Sequence, residues 1–441
     1  MADHAVSDHP AVQAQLDRLA SLSPGADILG LERITLLLAA LGDPHLALPP
    51  VFHVAGTNGK GSTCAFLRAA LEADGRNVHV YTSPHLVRFN ERIRLHDRLI
   101  DDAYLAATLA RVLDAAGDIG PSFFEATTAA AFLAFAENPA DACIVEVGLG
   151  GRLDATNVIP RPAVTGIAQL GMDHEAFLGG EIKQIAAEKA GIAKAGVPLV
   201  TLNYEPAIAA VIAEKAAAAD ARWLAMGNGW DAAVYRERLH YRDDFGRIDT
   251  PLPRLAGPHQ PMNLALAIAM LRHQNILTIG EAALKAAPLW ASWPARLQRL
   301  IQGPLVERLG GGEARAIWLD GGHNPAAGEM LAAHFMPEHR EGGKLTLLIG
   351  MLANKDIAGF LSPLREHIDH IHSVPVEGHA CHGAEAFAAL AAQWGIRHNA
   401  HMSIDAAVNA VDGDGGQAPL LITGSLYLAG EILRMNGQYP D

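Results

Sequence analysis

The sequence predicts an α/β protein of two domains: a larger one built on a mostly parallel sheet with a phosphate loop, then a smaller α/β domain. Three observations carry this. A β-branched run at residues 51–55 leads into a glycine-rich turn and then an apolar stretch at helical spacing that reaches Leu71. Strand-like and helix-like runs alternate through most of the chain. A stretch punctuated by tryptophan and proline, Trp290-Ala-Ser-Trp-Pro-Ala-Arg296, separates two such series. Alternation of this kind means βαβ units and a parallel sheet covered on both faces, with ligands at the carboxyl ends of the strands.

The 441 residues leave room for about two or three domains. Half of them are hydrophobic and 19% charged, a globular composition. The formal charge of −14, from 34 basic and 48 acidic residues, argues against nucleic-acid and anionic-membrane partners. Bound anions must then rely on local features. Cys64, Cys143 and Cys381 lie far apart and two of them fall in apolar patterns, so core packing in a reducing compartment is expected, with no disulfide framework. The first ten residues lack the basic and apolar regions of a signal peptide, and no apolar run reaches membrane-spanning length. A cytoplasmic enzyme is expected.

Taken in order, residues 12–22 and 30–41 predict helices, the second with Ile28, Leu31, Ile34, Leu38 and Leu41 on one stripe and stopped by Gly42 and Pro44. After the glycine-rich turn, strands are predicted at 77–81, 142–147, 163–168 and 198–202, with helices at 101–116 and 127–136. Residues 206–221 read as an Ala-rich surface helix and 235–249 as a hairpin. Prolines and glycines mark 251–261 as a loop before a helix at 262–273. Beyond a hinge near 293–297, strands are predicted at 316–320, 344–350, 368–374 and 419–423. The domains are therefore set at 1–295 and 296–441.

Gly56-Thr57-Asn58-Gly59-Lys60-Gly61-Ser62-Thr63 carries the first chemistry. Glycines let backbone N–H groups approach an anion, a helix N-terminus favours negative charge, and Lys60 adds a formal positive charge. Nucleotide phosphate is the natural ligand. The generic phosphate-loop pattern is not met, since Val54 stands where its first glycine belongs and Gly61 separates Lys60 from Ser62.

The other motifs follow strands. Tyr81-Thr-Ser-Pro-His-Leu is a loop in which Ser83 could supply an oxygen to Mg²⁺ near the phosphates; a solvated connection is the alternative. Glu146 lies inside a buried-type strand, where a metal ion, or else a lysine or backbone donors, would make the carboxylate tolerable. Gly148, Gly150 and Gly151 then allow close backbone approach, and Asp154 emerges at the loop tip. His174 in Gly171-Met-Asp-His-Glu is a metal-ligand candidate that would converge with Ser83 and Glu146, a hydrogen-bonded histidine being the alternative. Lys189 sits between Ile185 and Ile192 at helical spacing and should face the sheet, paired with Asp173 or Glu175 if it is only structural. His379-Ala-Cys-His382 offers soft ligands but no companion cluster, so it reads as a loop.

Together these motifs resemble, in order and over nearly the whole chain, the Mur ligase superfamily and within it the bacterial bifunctional dihydrofolate synthase/folylpolyglutamate synthases. The resemblance rests on the glycine-rich loop, the Ser83 loop, Glu146, Asp173-His174, Gly257-Pro-His-Gln-Pro-Met-Asn263, Pro294-Ala-Arg296, Asp320-Gly-Gly-His-Asn-Pro325 and Thr423-Gly-Ser-Leu-Tyr. Gly322 and Ala295 depart from the usual residues, and Gly171-Met172 replace an apolar pair, without loss of a polar group. The resemblance implies a Mur-ligase-type ATPase domain and a Rossmann-like C-terminal domain. It implies that Thr57, Asn58, Gly59, Lys60, Gly61, Ser62, Asn263, Arg296, Asp320 and His323 hold ATP. Ser83, Glu146, His174 and a carbamylated Lys189 would hold two Mg²⁺, with Lys60, His174 and Lys189 the catalytic groups. Ser122, Phe123, Phe124, Glu125, Leu153, Asp154 and Ala155 would line the dihydropteroate site.

The activity implied is ATP-dependent addition of L-glutamate to dihydropteroate, and to tetrahydrofolate or its polyglutamates, through an acyl phosphate. A phosphate cradle, Mg²⁺ and two domains closing against water suit a hydrolysable intermediate. The alternatives are a monofunctional folylpolyglutamate synthase, another Mur-type amino-acid ligase and a nucleotide switch that ligates nothing. Only about fifty residues precede the loop, too few for the nucleotide-sugar domain of the peptidoglycan enzymes. A monomer is expected.

Overall fold

The computed structural model describes residues 5–22, 29–311, 315–336, 343–413 and 418–441, and they divide into two compact units. The first comprises residues 1–254, 260–292 and Asp441. The second comprises residues 293–440 together with 255–259. The division thus falls at Ser292, against an expected boundary at 295, and one short segment ahead of it belongs to the later unit.

The first unit holds one eleven-stranded sheet. Its strands are β1 (Val51–Ala55), β2 (Val78–Tyr81), β3 (Ile93–Leu95), β4 (Arg98–Leu99), β5 (Ala142–Glu146), β6 (Val164–Ile167), β7 (Pro198–Thr201), β8 (Arg222–Met226), β9 (Gly229–Tyr235), β10 (Arg238–Asp243) and β11 (Gly246–Pro251). The order is β11-β10-β9-β8-β7-β6-β1-β5-β2-β3-β4. β1 lies between β5 and β6, parallel to both, and all five of its residues are buried, which is why it reads as an apolar run broken only by His53. Here strand order reverses, so the crevice beyond β1 is where an open α/β sheet places a ligand.

The helices cover both faces. Pro10–Leu22, Glu32–Ala40, Asp102–Ala116 and Phe123–Glu137 bury one apolar cluster that includes Leu16, Ile34, Leu38, Leu109 and Phe132. In the expected stripe Leu31 and Leu41 pack against this cluster, while Ile28 lies outside the described residues. Ile182–Ala190 and Pro206–Ala218 bury another cluster with Ile185's neighbours Ala186 and Ala190, Leu199 and Ile212. No described helix is long and apolar enough to cross a membrane.

Two expectations need correction. The surface helix stops at Ala218, not 221, and β8 follows at once. The hairpin is a three-stranded antiparallel ribbon, β9-β10-β11. That ribbon is fastened by Asp243, whose carboxylate receives Arg272 Nε and Nη2 at 2.6 Å each and the Tyr241 hydroxyl at 3.0 Å. Arg272 ends helix Gln260–His273, and the Asp243 side chain is fully buried, so a bidentate pair joins ribbon to helix.

The second unit has a six-stranded sheet of β12 (Gln298–Leu300), β13 (Ile317–Leu319), β14 (Leu345–Ile349), β15 (Ile368–Ser373), β16 (Arg397–Ala400) and β17 (Leu420–Thr423), in the order β12-β13-β17-β14-β15-β16. Only β12 runs antiparallel to its neighbour. Leu347, Ile349, Phe360, Leu364 and Phe387 centre its core. Cys64 and Cys143 are buried, Cys381 is partly so, and all three are free thiols.

One buried histidine makes folding pH-dependent. His53 on β1 is wholly enclosed, its Nε2 2.8 Å from Thr156 Oγ1, and burial, aided by the Lys194 charge, pushes its pKa down to about 3. Below about pH 6.5 the unfolded chain binds a proton that the folded one refuses, so stability falls with acid at up to about 1.4 kcal/mol per pH unit until the folded pKa is reached. Urea midpoints at pH 7.5 and 5.0 should show a parent loss exceeding that of His53→Gln by about 2 kcal/mol. Equal losses in the two proteins would remove His53 as the cause.

Candidate active site

The loop after β1 closes on helix Lys60–Ala73 through Gly59, whose φ of 82° suits a glycine; a Cβ there would lie 2.5 Å from Asn263 Oδ1. Gly56 is equally confined, since a Cβ would meet Ala168 at 2.9 Å. Thr63 N bonds to the Gly59 carbonyl, so the amides of residues 59–62 are those that helix geometry leaves without an intrahelical acceptor. They form the anion cradle, with Lys60 beside it. Lys60 Nζ is 3.3 Å from the Thr57 carbonyl and 3.9 Å from Glu146 Oε1.

Glu146 ends β5 and is 5% exposed. Its Oε2 receives the Ser83 N–H at 3.4 Å, so two of the expected metal residues stand together beside the phosphate loop. A carboxylate and a hydroxyl suit a hard divalent cation. Lys189 also reaches the loop: its ammonium donates to the Gly56 carbonyl at 2.9 Å, and neither expected carboxylate partner is needed to hold it. Burial, with the like charge of Lys60, pushes its pKa down to about 7. His174 lies in the connection after β6. It has φ 52°, precedes the short helix Glu175–Leu178, keeps 42% of its side chain exposed, and lies 3.9 Å from Asp173 Oδ1. Among the described residues no three His, Cys, Asp or Glu side chains gather as a metal group, the His379–His382 loop included.

The expected dihydropteroate residues are largely spent on local structure. Ser122 and Glu125 form a capping box on helix Phe123–Glu137, and Glu125 Oε2 also takes Arg33 Nε at 3.0 Å. Phe123 packs edge-on to Phe89 beneath the Arg92 guanidinium, whereas Phe124 covers Gly148, where a Cβ would lie 2.3 Å from its ring. Asp154 is 2% exposed, and its oxygens accept from Leu149 N, Thr156 N and Thr156 Oγ1, which shapes the loop; burial pushes its pKa up. Ala155 is buried and Leu153 half-buried.

Helix Gln260–His273 brings Asn263 to the loop, and here sequence reasoning missed Gln260. Fully buried, it receives Asn263 Nδ2 at 3.2 Å and donates to Ser62 Oγ at 3.3 Å. Gln169 was missed as well: its carbonyl accepts Thr57 N at 2.8 Å and Asn58 N at 3.2 Å. Its place just after a predicted strand was the available signal.

In the second unit, Asp320 follows β13 and is 2% exposed, accepting Leu297 N at 2.8 Å and Gly322 N at 2.7 Å. Burial raises its pKa against the pull of Arg296. His323 Nδ1 is 3.1 Å from the Gly321 carbonyl, and Arg296 Nη1 would lie 2.9 Å from a Cβ at Gly321. Asp320, Arg296 and His323 thus share one strand-end cluster. His259 shares that unit, and burial, then the Arg296 charge, hold its pKa near 4.

Two family models match: one described as the Mur ligase middle domain over residues 54–271, the other as the dihydrofolate synthetase C-terminal domain over 310–435. Fold, phosphate loop and matches define an ATP-dependent ligase of the Mur type. The dihydrofolate synthase/folylpolyglutamate synthase of Escherichia coli strain K12 is 37% identical over 351 residues, 79% of this chain and 78% of that one. An E. coli FolC solved in complex with DHPP and ADP superposes with a TM-score of 0.86 at 33% identity, covering 97% of each chain. A bifunctional folylpolyglutamate synthase/dihydrofolate synthase with Mn, AMPPNP and L-glutamate bound gives 0.82 at 31% identity, over 96% of this chain and 97% of that one. The chain belongs to the dihydrofolate synthase/folylpolyglutamate synthase family.

Proposed function

We propose that this protein uses ATP to join L-glutamate to dihydropteroate, giving dihydrofolate, and to tetrahydrofolate or its polyglutamates. The carboxylate is phosphorylated to an acyl phosphate, which the glutamate amine attacks with release of phosphate. The observation that carries the reading is the loop of residues 56–63 with Lys60 set between its own backbone and the buried Glu146. Family membership supplies the substrates.

In this reading the amides of residues 59–62 and Lys60 bind the phosphates, Asn263 stands by the nucleotide, and Arg296, Asp320 and His323 act on ATP from the second unit. Ser83, Glu146 and His174 would hold Mg²⁺, and a carbamylated Lys189 would help hold a second. The bound cations would neutralise charge as the phosphoryl group moves. Lys189 takes part as its carbamate, which forms when the neutral amine adds CO₂ and releases a proton; a pKa near 7 makes that amine available. Residues 122–125 and 153–155 border the pterin as much through backbone and apolar surface as through polar groups. A cytoplasmic monomer with no nucleic-acid or membrane partner fits the charge of −14.

The test is substrate-dependent ATP cleavage with product masses. Release of phosphate should need L-glutamate together with either dihydropteroate or tetrahydrofolate. Turnover with tetrahydrofolate alone would leave the monofunctional enzyme, and equal turnover without any pterin would rule out both.

A further inference from the structure

The eight-residue loop divides into two halves that do different work. Its second half, residues 59–62, presents amides at the start of a helix. Its first half is turned the other way: Thr57 N and Asn58 N both bond to the Gln169 carbonyl, and Asn58 Nδ2 donates to Gln169 Oε1 at 3.0 Å. The Thr57 hydroxyl donates to the Gly171 carbonyl at 3.0 Å and accepts the Gly171 N–H at 3.2 Å. A hydroxyl has one proton to give. Thr57 has therefore spent its proton on Gly171 and has none for a phosphate oxygen.

Gly171 leads by two residues into Asp173-His174, and Asp173 in turn acts on Lys189 by its charge. Thr57 is thus the covalent neighbour of the anion cradle on one side and the hydrogen-bonded neighbour of the 171–174 loop on the other. We propose that Thr57, supported by Gln169, is a positioning residue that couples nucleotide binding at the phosphate loop to the Asp173-His174 segment. The proposal rests on the nucleotide-dependent reading above but needs no particular acceptor substrate.

Thr57→Val keeps the shape and both backbone amides while removing the clamp; Thr57→Ser keeps the hydroxyl. ADP affinity by calorimetry should stay within about threefold in both, since no phosphate contact is lost. Glutamate-dependent turnover should fall roughly tenfold or more in kcat for the valine variant, with KM for ATP little changed, because two polar groups of Gly171 lose their partner. The serine variant should recover most of it. Amide exchange gives a readout independent of ligation. ADP with Mg²⁺ should slow exchange at residues 171–175 in the parent and in Thr57→Ser but not in Thr57→Val.

If Thr57→Val does not fold, Gln169→Met, which removes the Asn58 bond and the Gln169 Nε2 bond to the Leu170 carbonyl while leaving the Gln169 backbone carbonyl in place, should show the same loss of ADP-induced protection in part. A tenfold or larger loss of ADP affinity in Thr57→Val with kcat unchanged would make Thr57 a phosphate ligand and overturn the proposal. So would unaltered protection of residues 171–175 in the variants. Because ADP binding and exchange involve no folate, they stand even if the parent ligates nothing.

Discussion

Lys60→Ala is expected to lower ATP-dependent glutamate ligation by about a thousandfold in kcat/KM, the scale on which preorganised charge at a phosphoryl-transfer site acts. Lys60 is the one formal positive charge carried by the phosphate loop itself, and its ammonium lies 3.9 Å from Glu146 Oε1. Removing it strips the cradle of that charge and takes from the buried Glu146 the ammonium that stands beside its Oε1. The Lys60 charge also helps depress Lys189, so the variant should shift the rising limb of the pH profile to higher pH. Steady-state phosphate release with ADP calorimetry would measure both losses, and a variant that ligates at the parent rate would defeat the site assignment.

The second large effect is expected at Lys189. Its pKa near 7 means the amine is neutral above that pH in the folded protein, while in the unfolded chain it stays charged up to about 10.5. Stability therefore drops as pH falls from 10.5 to about 7 and the cost is complete below it. Lys189→Met should abolish at least about 99% of ligation and yet raise the thermal midpoint, because the substitution removes a buried amine that resists charging. Parent activity should rise between pH 6 and 8, decline in CO₂-free buffer and return with bicarbonate. Full activity in Lys189→Met, or indifference to CO₂, would deny the carbamate.

Much of this was legible because it is local. Strand, glycine turn, Lys60 and helix are consecutive, and the apolar runs of β5, β6 and β7 announce buried parallel strands. Where signals were short or amphipathic they failed: β8 follows an Ala-rich helix without a break, and β16, Arg-His-Asn-Ala, is an edge strand with little apolar content. The capping box of Ser122 and Glu125 and the Glu125 pair with Arg33 emerge only in the folded chain, beside the substrate role that the family resemblance implies for these residues. The partners of Gln169 and Gln260 were hidden for another reason. Asn58 and Ser62 are 111 and 198 residues away, and no periodicity encodes a contact of that range.

The ribbon β9-β10-β11 has a bearing on how such a chain can diverge. It occupies the border of the large sheet and leaves Val234, Tyr235 and Phe245 exposed. Asp243 is the exception, since its partner Arg272 closes the helix whose opening residues, Gln260 and Asn263, reach Ser62 and Gly59. Drift can accumulate at the ribbon's exposed positions, but a change at Asp243 would be felt one helix length away, at the phosphate loop. The ribbon's buried side chains, Trp230, Leu239, Tyr241 and Ile248, hold it as core, and Asp243 alone of these positions answers to the phosphate loop through a charged pair.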